Sequence, residues 1–388
     1  MNYRSVQEMA ELWQLSERQV QRLCSDGRVS GARRFGNNWM IPENAQKPDD
    51  LRYRWARATV ASHTVMPLLS ADFLPGRAWE TAQSFADEAE QLVALAEWHY
   101  FRGQAVKALA LTEQLAAYPE PEIRLSAALI AGFASLSTGQ VPQARAALAA
   151  IRQLDTGGDP QLAALQALVD SAAAVLLHLS PPQTLPQGAQ IFALLPEGLR
   201  GFALYVRAHA FYLAGDYGRA LGVAETALVY CGQRQPIVSV YLHLACVMAL
   251  MSRRDVKGAE AHLRAAWAIA QPDDLLEPFG EHHGLLGGML EAVIKPEAPQ
   301  TFRRIIDITY RFSWGWRRIH NPATGDNVAD NLTTTQFSIC MLAARGWSNK
   351  EIADHLGISL YTVKEHIADA RKKIGFHNRQ DLAQYMLQ

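Results

Sequence analysis

Cysteine is scarce: four in 388 residues, at positions 24, 231, 246 and 340, with no Cys-x-x-Cys or Cys/His spacing among them. Each falls on an apolar helix position, so they read as reduced core thiols and not as a disulfide framework or a metal set. Long hydrophobic runs are also missing. The longest, "VSVYLHLACVMALM" (238–251), contains His243 and falls short of the ~20 residues that cross a bilayer. The opening "MNYRSVQEMAEL" is no signal peptide, so a cytoplasmic protein with no membrane contact is expected. No Gly-x-x-x-x-Gly-Lys-Ser/Thr loop occurs, and no Ser/His/Asp, Cys/His or paired-carboxylate constellation stands out. The expectation is therefore no enzyme, no catalytic residue, no cofactor and no metal.

What is present is apolar and unevenly charged. Hydrophobic residues make up 49% and charged residues 19% of the chain, the balance of a globular protein with room for two or three domains. The net charge of −1 hides an asymmetry: residues 1–57 hold 10 Lys and Arg against 7 Asp and Glu, residues 58–300 hold 15 against 23, and residues 301–388 hold 12 against 8. Basic ends around an acidic middle suit contact with nucleic acid at the ends only.

The C-terminal end explains that charge. In "SNKEIADHLGISLYTVKEHIADARKKIG" (348–375), Ser348 and Glu351 form a capping box, Ile352, Ala353 and Leu356 give the helix an apolar face, and Gly357 closes it. Ser359 caps a second helix whose inward stripe is Val363, Ile367, Ala370 and Ile374. Its outward set is Tyr361, Lys364, Glu365, Ala368 and Lys372. Two helices joined by a Gly-containing turn form a helix-turn-helix, whose second helix enters the major groove of DNA. A supporting helix precedes it in "LTTTQFSICMLAARGW" (332–347), with Phe337, Cys340, Met341 and Ala344 on one face, and Asn378 caps a last helix in "RQDLAQYML".

Through "LTTTQ", "RGWSNKEIADHLGIS", "TVKEHI", "RKKIG" and "NRQDL" this end resembles the LuxR-type (GerE, FixJ-like) DNA-binding domain over about residues 330–388. The resemblance implies that Lys364, Glu365 and Ala368 reach bases. Only Lys364 keeps the usual cationic type; Glu365 would accept from a cytosine amino group, and Ala368 could touch a thymine methyl. Thr362 and Lys372 are placed for phosphate, and Ser359 and Tyr361 complete the DNA-facing set. Such domains usually read half-sites in pairs, so a homodimer on DNA is expected, with Leu382, Tyr385 and Met386 as its apolar edge.

At the other end, Ser5 and Glu8 form a capping box, Val6, Met9, Ala10 and Trp13 line one helix, and Ser16 caps a second helix running to Cys24. "RVSGARRFGNNWMIP" then carries turn chemistry at Gly31 and Gly36-Asn37-Asn38 between short extended runs, a small hairpin or wing. The stretch resembles the MerR-like or excisionase-type winged helix, over about residues 3–45. By that resemblance Arg18, Gln19 and Arg22 would enter the major groove, while Arg33, Arg34 and Asn38 track the backbone. Small modules of this kind also serve as protein-docking folds.

Between the ends, from about residue 58 to 320, Ala and Leu recur at helical spacing and nothing reads as a strand. "AHAFYLAGDYGRALGVAETAL" sets Ala208, Phe211, Gly215, Tyr217, Ala220, Ala224, Ala227 and Leu228 in the pattern of a tetratricopeptide repeat. The frame recurs with turns at 103, 139 and 254, and the wide gap from 139 to 215 calls for a degenerate repeat near "HLSPPQTLPQG" (178–188). A solenoid works through its concave face, where Trp98, Tyr100, Tyr205, His209, Tyr241 and His243 are candidates for a ligand or partner surface. Packing aromatics and buried histidines are the alternative for each of them. His282-His283 reads as a helix-turn feature, and 301–320 as a final basic, aromatic helix.

The expected fold is mainly α. Residues 1–50 form a winged helix-turn-helix, 58–320 an α-solenoid of tetratricopeptide-like repeats, and 328–388 a four-helix LuxR-type module. The architecture resembles maltose-activator-class regulators without their ATPase. The expected function is a transcription regulator that binds double-stranded DNA, with the repeats sensing a small-molecule effector or protein partner. The alternative is a repeat-based docking scaffold whose end modules bind proteins.

Overall fold

The computed structural model describes residues 3–13, 15–25, 29, 31–36, 38–43, 45, 47, 63–177, 189–232, 234–320, 332–378 and 381–382. Helix makes up 74% and strand 3% of it, a mainly-α fold as the Ala and Leu spacing predicts. Two compact units form, residues 1–60 and residues 61–388.

In the first unit, β1 (Tyr3–Arg4), α1 (Val6–Trp13), α2 (Glu17–Ser25), β2 (Arg33–Phe35) and β3 (Asn38–Pro42) follow in order. The expected capping box closes, the Glu8 carboxylate accepting from the Ser5 backbone N–H at 2.7 Å, and Ser16 proves to be half of a second, the Gln19 side chain accepting from its backbone N–H at 2.9 Å. The strands make an antiparallel sheet in the order β1-β3-β2, with Arg33 opposite Met40 and Tyr3 opposite Pro42. The hairpin was legible in the turn residues; β1, only two residues long, was not. Met9, Trp13, Val20, Cys24, Val29 and Ile41 are buried together as the core.

The second unit opens with α3 (Pro67–Ser70) and α4 (Ala78–Gln83), and continues in helices that fold back on one another: α5 (Glu88–Phe101) with α6 (Ala105–Leu115), and α7 (Pro121–Ser137) with α8 (Val141–Gln153). Next come α9 (Pro160–Leu176) and the short α10 (Ala189–Leu194). The pairs resume as α11 (Glu197–Leu213) with α12 (Tyr217–Cys231) and α13 (Pro236–Ser252) with α14 (Val256–Ala270). The turn inside each of these four pairs holds a left-handed residue, Gly103, Gly139, Gly215 or Arg254, with φ of 74°, 77°, 77° and 63°. These are the four positions that the repeat frame picks out. Proline at the first turn of α7, α9 and α13 and side-chain caps from Asp87, Asp159, Asp216 and Asp255 set the helix starts. Residues 178–188, where a degenerate repeat is expected, lie outside the described residues.

After the pairs come α15 (Glu277–His282), a π-helical turn at Leu290–Ile294, α16 (Lys295–Glu297) and the 22-residue α17 (Pro299–His320). Helix α17 returns across the array against α7 and α15. The approach is close: a Cβ on Gly315 would lie 2.5 Å from the Leu136 carbonyl oxygen. Among the described residues the C-terminal module consists of α18 (Thr334–Ala344), α19 (Asn349–Leu356) and α20 (Leu360–Ile374), and its apolar side chains continue the core of the array; the expected last helix after Asn378 lies mostly outside the described residues.

That depth corrects the expected partner surface. Tyr100, Tyr205, His209 and Tyr241 are buried in the array and line no open concave face; Trp98 and His243 alone of the six keep partial exposure. Repeat spacing gives the side of a helix but not what later packs over it, and here α15 packs against α5 and α13 over that side, with α17 behind it.

Candidate nucleic-acid interface

The geometry of the C-terminal module follows from its caps. Thr333 with Gln336 and Ser348 with Glu351 each complete a reciprocal capping box, and Ser359 accepts from the Thr362 backbone N–H at 3.0 Å to start α20. Gly357, left-handed at φ 65°, ends α19, so the turn 357–359 is fixed at both ends. Ile352, Ala353, Val363, Ala370 and Ile374 are buried, which locks the two helices by their inner faces.

The outer face of α20 is consequently bare. Tyr361 (69% exposed), Lys364, Glu365, Ala368 and Lys372 are all exposed, with Thr362 half-buried beside its cap. The Tyr361 hydroxyl hydrogen-bonds to Glu365 one turn on, and this bond lifts the phenol above its ordinary value. Ser359 and Thr362 share a hydroxyl contact of 2.8 Å, so both serve the helix start as well as the exposed face. Of the terminal cations, Lys372 lies 3.5 Å from Asp369, Lys373 donates to Gln336 at 2.8 Å, and Arg371 donates to the Phe376 carbonyl at 3.0 Å. The helix thus offers one lysine, one acceptor and one small side chain along a single ridge, the mixture that can discriminate base edges.

Two expectations need correction. Leu382 is fully buried in the core and so offers no apolar edge to a second copy; Tyr385 and Met386 lie outside the described residues. In the N-terminal unit Arg18, Arg22, Arg33, Arg34 and Asn38 are exposed as expected, but the Gln19 side chain is taken up as the second half of the Ser16 capping box. Gln19 therefore reaches a base only by giving up that cap.

The spacing of apolar residues gave no hint of how the module is held. Arg345 donates to the Tyr212 hydroxyl at 2.7 Å and to the Leu285 carbonyl at 3.0 Å. Arg254 donates to the Gly346 carbonyl at 2.7 Å, and His355 Nε2 lies 3.0 Å from the Gly287 carbonyl. Ser338 donates to Glu291, whose carboxylate also pairs with buried His283 at 2.9 Å; that histidine holds the acid below the ordinary carboxylate range against the opposing effect of burial. A groove of about 430 Å3 remains between Arg254 and the Glu351–His355 side of α19. The partners come from the end of α11 (Tyr212), from the turn before α14 and from 282–291, where irregular 3-10 and π turns replace helical period. The doubled histidines and glycines were the available signal. Thus α18 and α19 face the array, and the outer face of α20 does not.

Residues 330–386 match the family model described as "Bacterial regulatory proteins, luxR family". Over 108 residues the chain is 32% identical to the Transcriptional regulatory protein MctR of Rhizobium johnstonii, a stretch that covers 27% of this chain and 49% of that protein. Over 54 residues it is 43% identical to the Nitrate/nitrite response regulator protein homolog of Haemophilus influenzae, covering 14% of this chain and 26% of that one. The chain therefore spans about half, or less, of the length of these curated relatives. No solved structure matches it. The C-terminal module is a LuxR-family regulatory domain, and no helix among the described residues is long and apolar enough to cross a membrane.

Proposed function

We propose that this chain is a sequence-specific, DNA-binding transcriptional regulator of the LuxR type, cytoplasmic, whose helical array senses a small molecule or a protein partner. The observation that carries the reading is the bare outer face of α20 behind a capped, glycine-closed turn, in a segment that matches the luxR family. In this reading the N-terminal part of α20 lies in the major groove. Lys364 takes a guanine edge, Glu365 accepts from a cytosine amino group with Tyr361 bracing it, and Ala368 leaves room for a thymine methyl. Lys372 holds phosphate, which sets register without reading sequence.

The helix pairs, with their left-handed turns and small residues at the crossings, act as a tetratricopeptide-like solenoid. A ligand or partner that moved α15 would be felt at the module, because the segment following α15 supplies the groups that hold α18 and α19. The N-terminal unit is a MerR-like winged helix, in which Arg18 and Arg22 on one helix and Arg33 and Arg34 on the hairpin supply a second contact to DNA. Two chains occupy each palindromic site.

Purified full-length chain, mixed with sheared genomic DNA from its own source and washed at rising salt, tests the whole reading. Retention of a few defined fragments, with affinity falling steeply against salt, is the expected result. Indifference to sequence and salt would instead favour a docking scaffold.

A further inference from the structure

Inside the array is a cavity of about 30 Å3, room for one or two water-sized groups. Its walls are aliphatic and aromatic with one exception: Glu281, on α15, is the charged side chain among the described residues that line it. Both carboxylate oxygens are oriented from the protein side. Tyr100 donates to Oε1, and Tyr241 donates to Oε2 at 2.9 Å. Phe101 and Phe202 stand edge-on to the Tyr241 ring, at 6.3 and 6.2 Å between centroids, and line the same cavity as the acid. Glu281 keeps partial exposure although Tyr100, Phe101, Phe202 and Tyr241 around it are buried.

One turn earlier, Glu277 is fully buried. It accepts from Ser137 at 3.0 Å through Oε1, and its Oε2 has no hydrogen-bond partner. Burial pushes Glu281 up to about 7 and Glu277 up to about 8, the latter helped by the neighbouring Glu281 and opposed by Arg311. A carboxylate in such surroundings is costly unless a cation meets it. The walls exclude other ligand classes. An anion would face Glu281, and no three His, Cys, Asp or Glu among the described residues converge to hold a metal.

We propose that this cavity is a binding site for a small ammonium group, a primary or N-methylated amine whose positive head sits against Glu281 and whose carbons lie on the faces and edges of the surrounding rings. The N–H donors use the carboxylate lone pairs that the tyrosines leave, and the rings of Tyr100, Phe101, Phe202 and Tyr241 add cation–π attraction in a desolvated place. The space present fits a methylammonium head; a longer amine extends by displacing the aliphatic wall. The proposal deepens, and rests on, the reading of the array as a sensor. Residue 281 opens the stretch whose following residues hold the DNA-binding module: Phe337 packs on Gly284, and His355 bonds to Gly287, while His282 ties the stretch to the array through Tyr205 at 2.9 Å.

The test uses the full-length chain at pH 8, with methylammonium chloride as the probe, potassium chloride as the ionic-strength control and methanol as the neutral group of equal size. Thermal unfolding and titration calorimetry should show a saturable stabilisation with methylammonium and none with either control, and Glu281→Gln should weaken binding by about tenfold or more. No saturable effect, an equal effect of potassium or methanol, or undiminished binding by Glu281→Gln would overturn the site. The contrast among the three probes is made on the unaltered chain, so it stands even if the variant folds poorly. DNA affinity, measured separately with and without methylammonium, reports on the sensor reading: binding without any change in DNA affinity would leave the site standing and remove that reading, while absence of binding would remove the site alone.

Discussion

Two glycines in helices should respond to alanine with opposite signs. Gly222, in α12, has nothing within 4 Å of a built Cβ, whereas a Cβ on Gly315, in α17, would lie 2.5 Å from the Leu136 carbonyl oxygen and 2.7 Å from its Cα. Helix propensity alone favours alanine over glycine by ~1 kcal/mol, so Gly222→Ala should stabilise by about that much. Gly315→Ala gains the same propensity but meets backbone, which cannot rotate away. To reach ordinary contact at 3.4 Å, α17 must retreat by roughly 0.9 Å, a gap that forfeits about a quarter to a half of each dispersion contact along the seam. The stack of Phe312 on Phe133, at 6.3 Å, lies on that seam. Overpacking of this kind costs about 1–3 kcal/mol, enough to cancel the propensity gain and leave a net loss. Urea unfolding followed by far-ultraviolet circular dichroism measures both variants. If Gly315→Ala proved as stabilising as Gly222→Ala, the close seating of α17 on α7 would be wrong.

Ser359→Ala removes the cap of the recognition helix and should cost about 0.5–2 kcal/mol; faster amide exchange over 360–364, with α19 unchanged, is the expected signature. Stability should fall between about pH 6.5 and 8. Burial raises Glu97 and Glu277 to about 8 and Glu281 to about 7 from 4.5, so their contribution is fully present below about 4.5 and is lost as pH rises through the folded values. The buried histidines, with His243 and His282 lowered to about 4, act in the opposite sense only below their ordinary value of 6.5. A thermal midpoint that rose from pH 6.5 to 8 would contradict this assignment. Deleting residues 1–50 should lower DNA affinity and flatten its salt slope while leaving the selected sequence unchanged; a change of preferred fragment would make the N-terminal unit the reader.

Local chemistry was readable where it acts locally. Ser348 with Glu351, Gly357 and Ser359 announce the helix-turn-helix because capping depends on residues three or four apart, and the turns at 103, 139 and 215 stand out because glycine there suits a left-handed backbone, whereas Arg254 is placed by the repeat frame alone. Depth was not readable. Tyr205 and Tyr241 have the spacing of a concave face, and only the insertion of α15, distant in sequence, decides that they are interior. Gln19 is a related case: its type suits a base edge, yet its place three residues after Ser16 commits the side chain to a cap. The stretch 283–294 changes between 3-10, left-handed glycine and π geometry, so it has no period to detect, and it is there that the module is held.

The central claim is that α20 reads bases through Lys364. Fluorescence anisotropy of the full-length chain on a retained genomic fragment and on a scrambled fragment, at one moderate salt concentration, measures it directly for the unaltered chain, Lys364→Ala and Lys372→Ala. The account predicts that Lys364→Ala loses about 1–3 kcal/mol on the retained fragment and little on the scrambled one, while Lys372→Ala weakens both alike. Equal affinity of the unaltered chain for the two fragments, or an equal loss on both from Lys364→Ala, would contradict it.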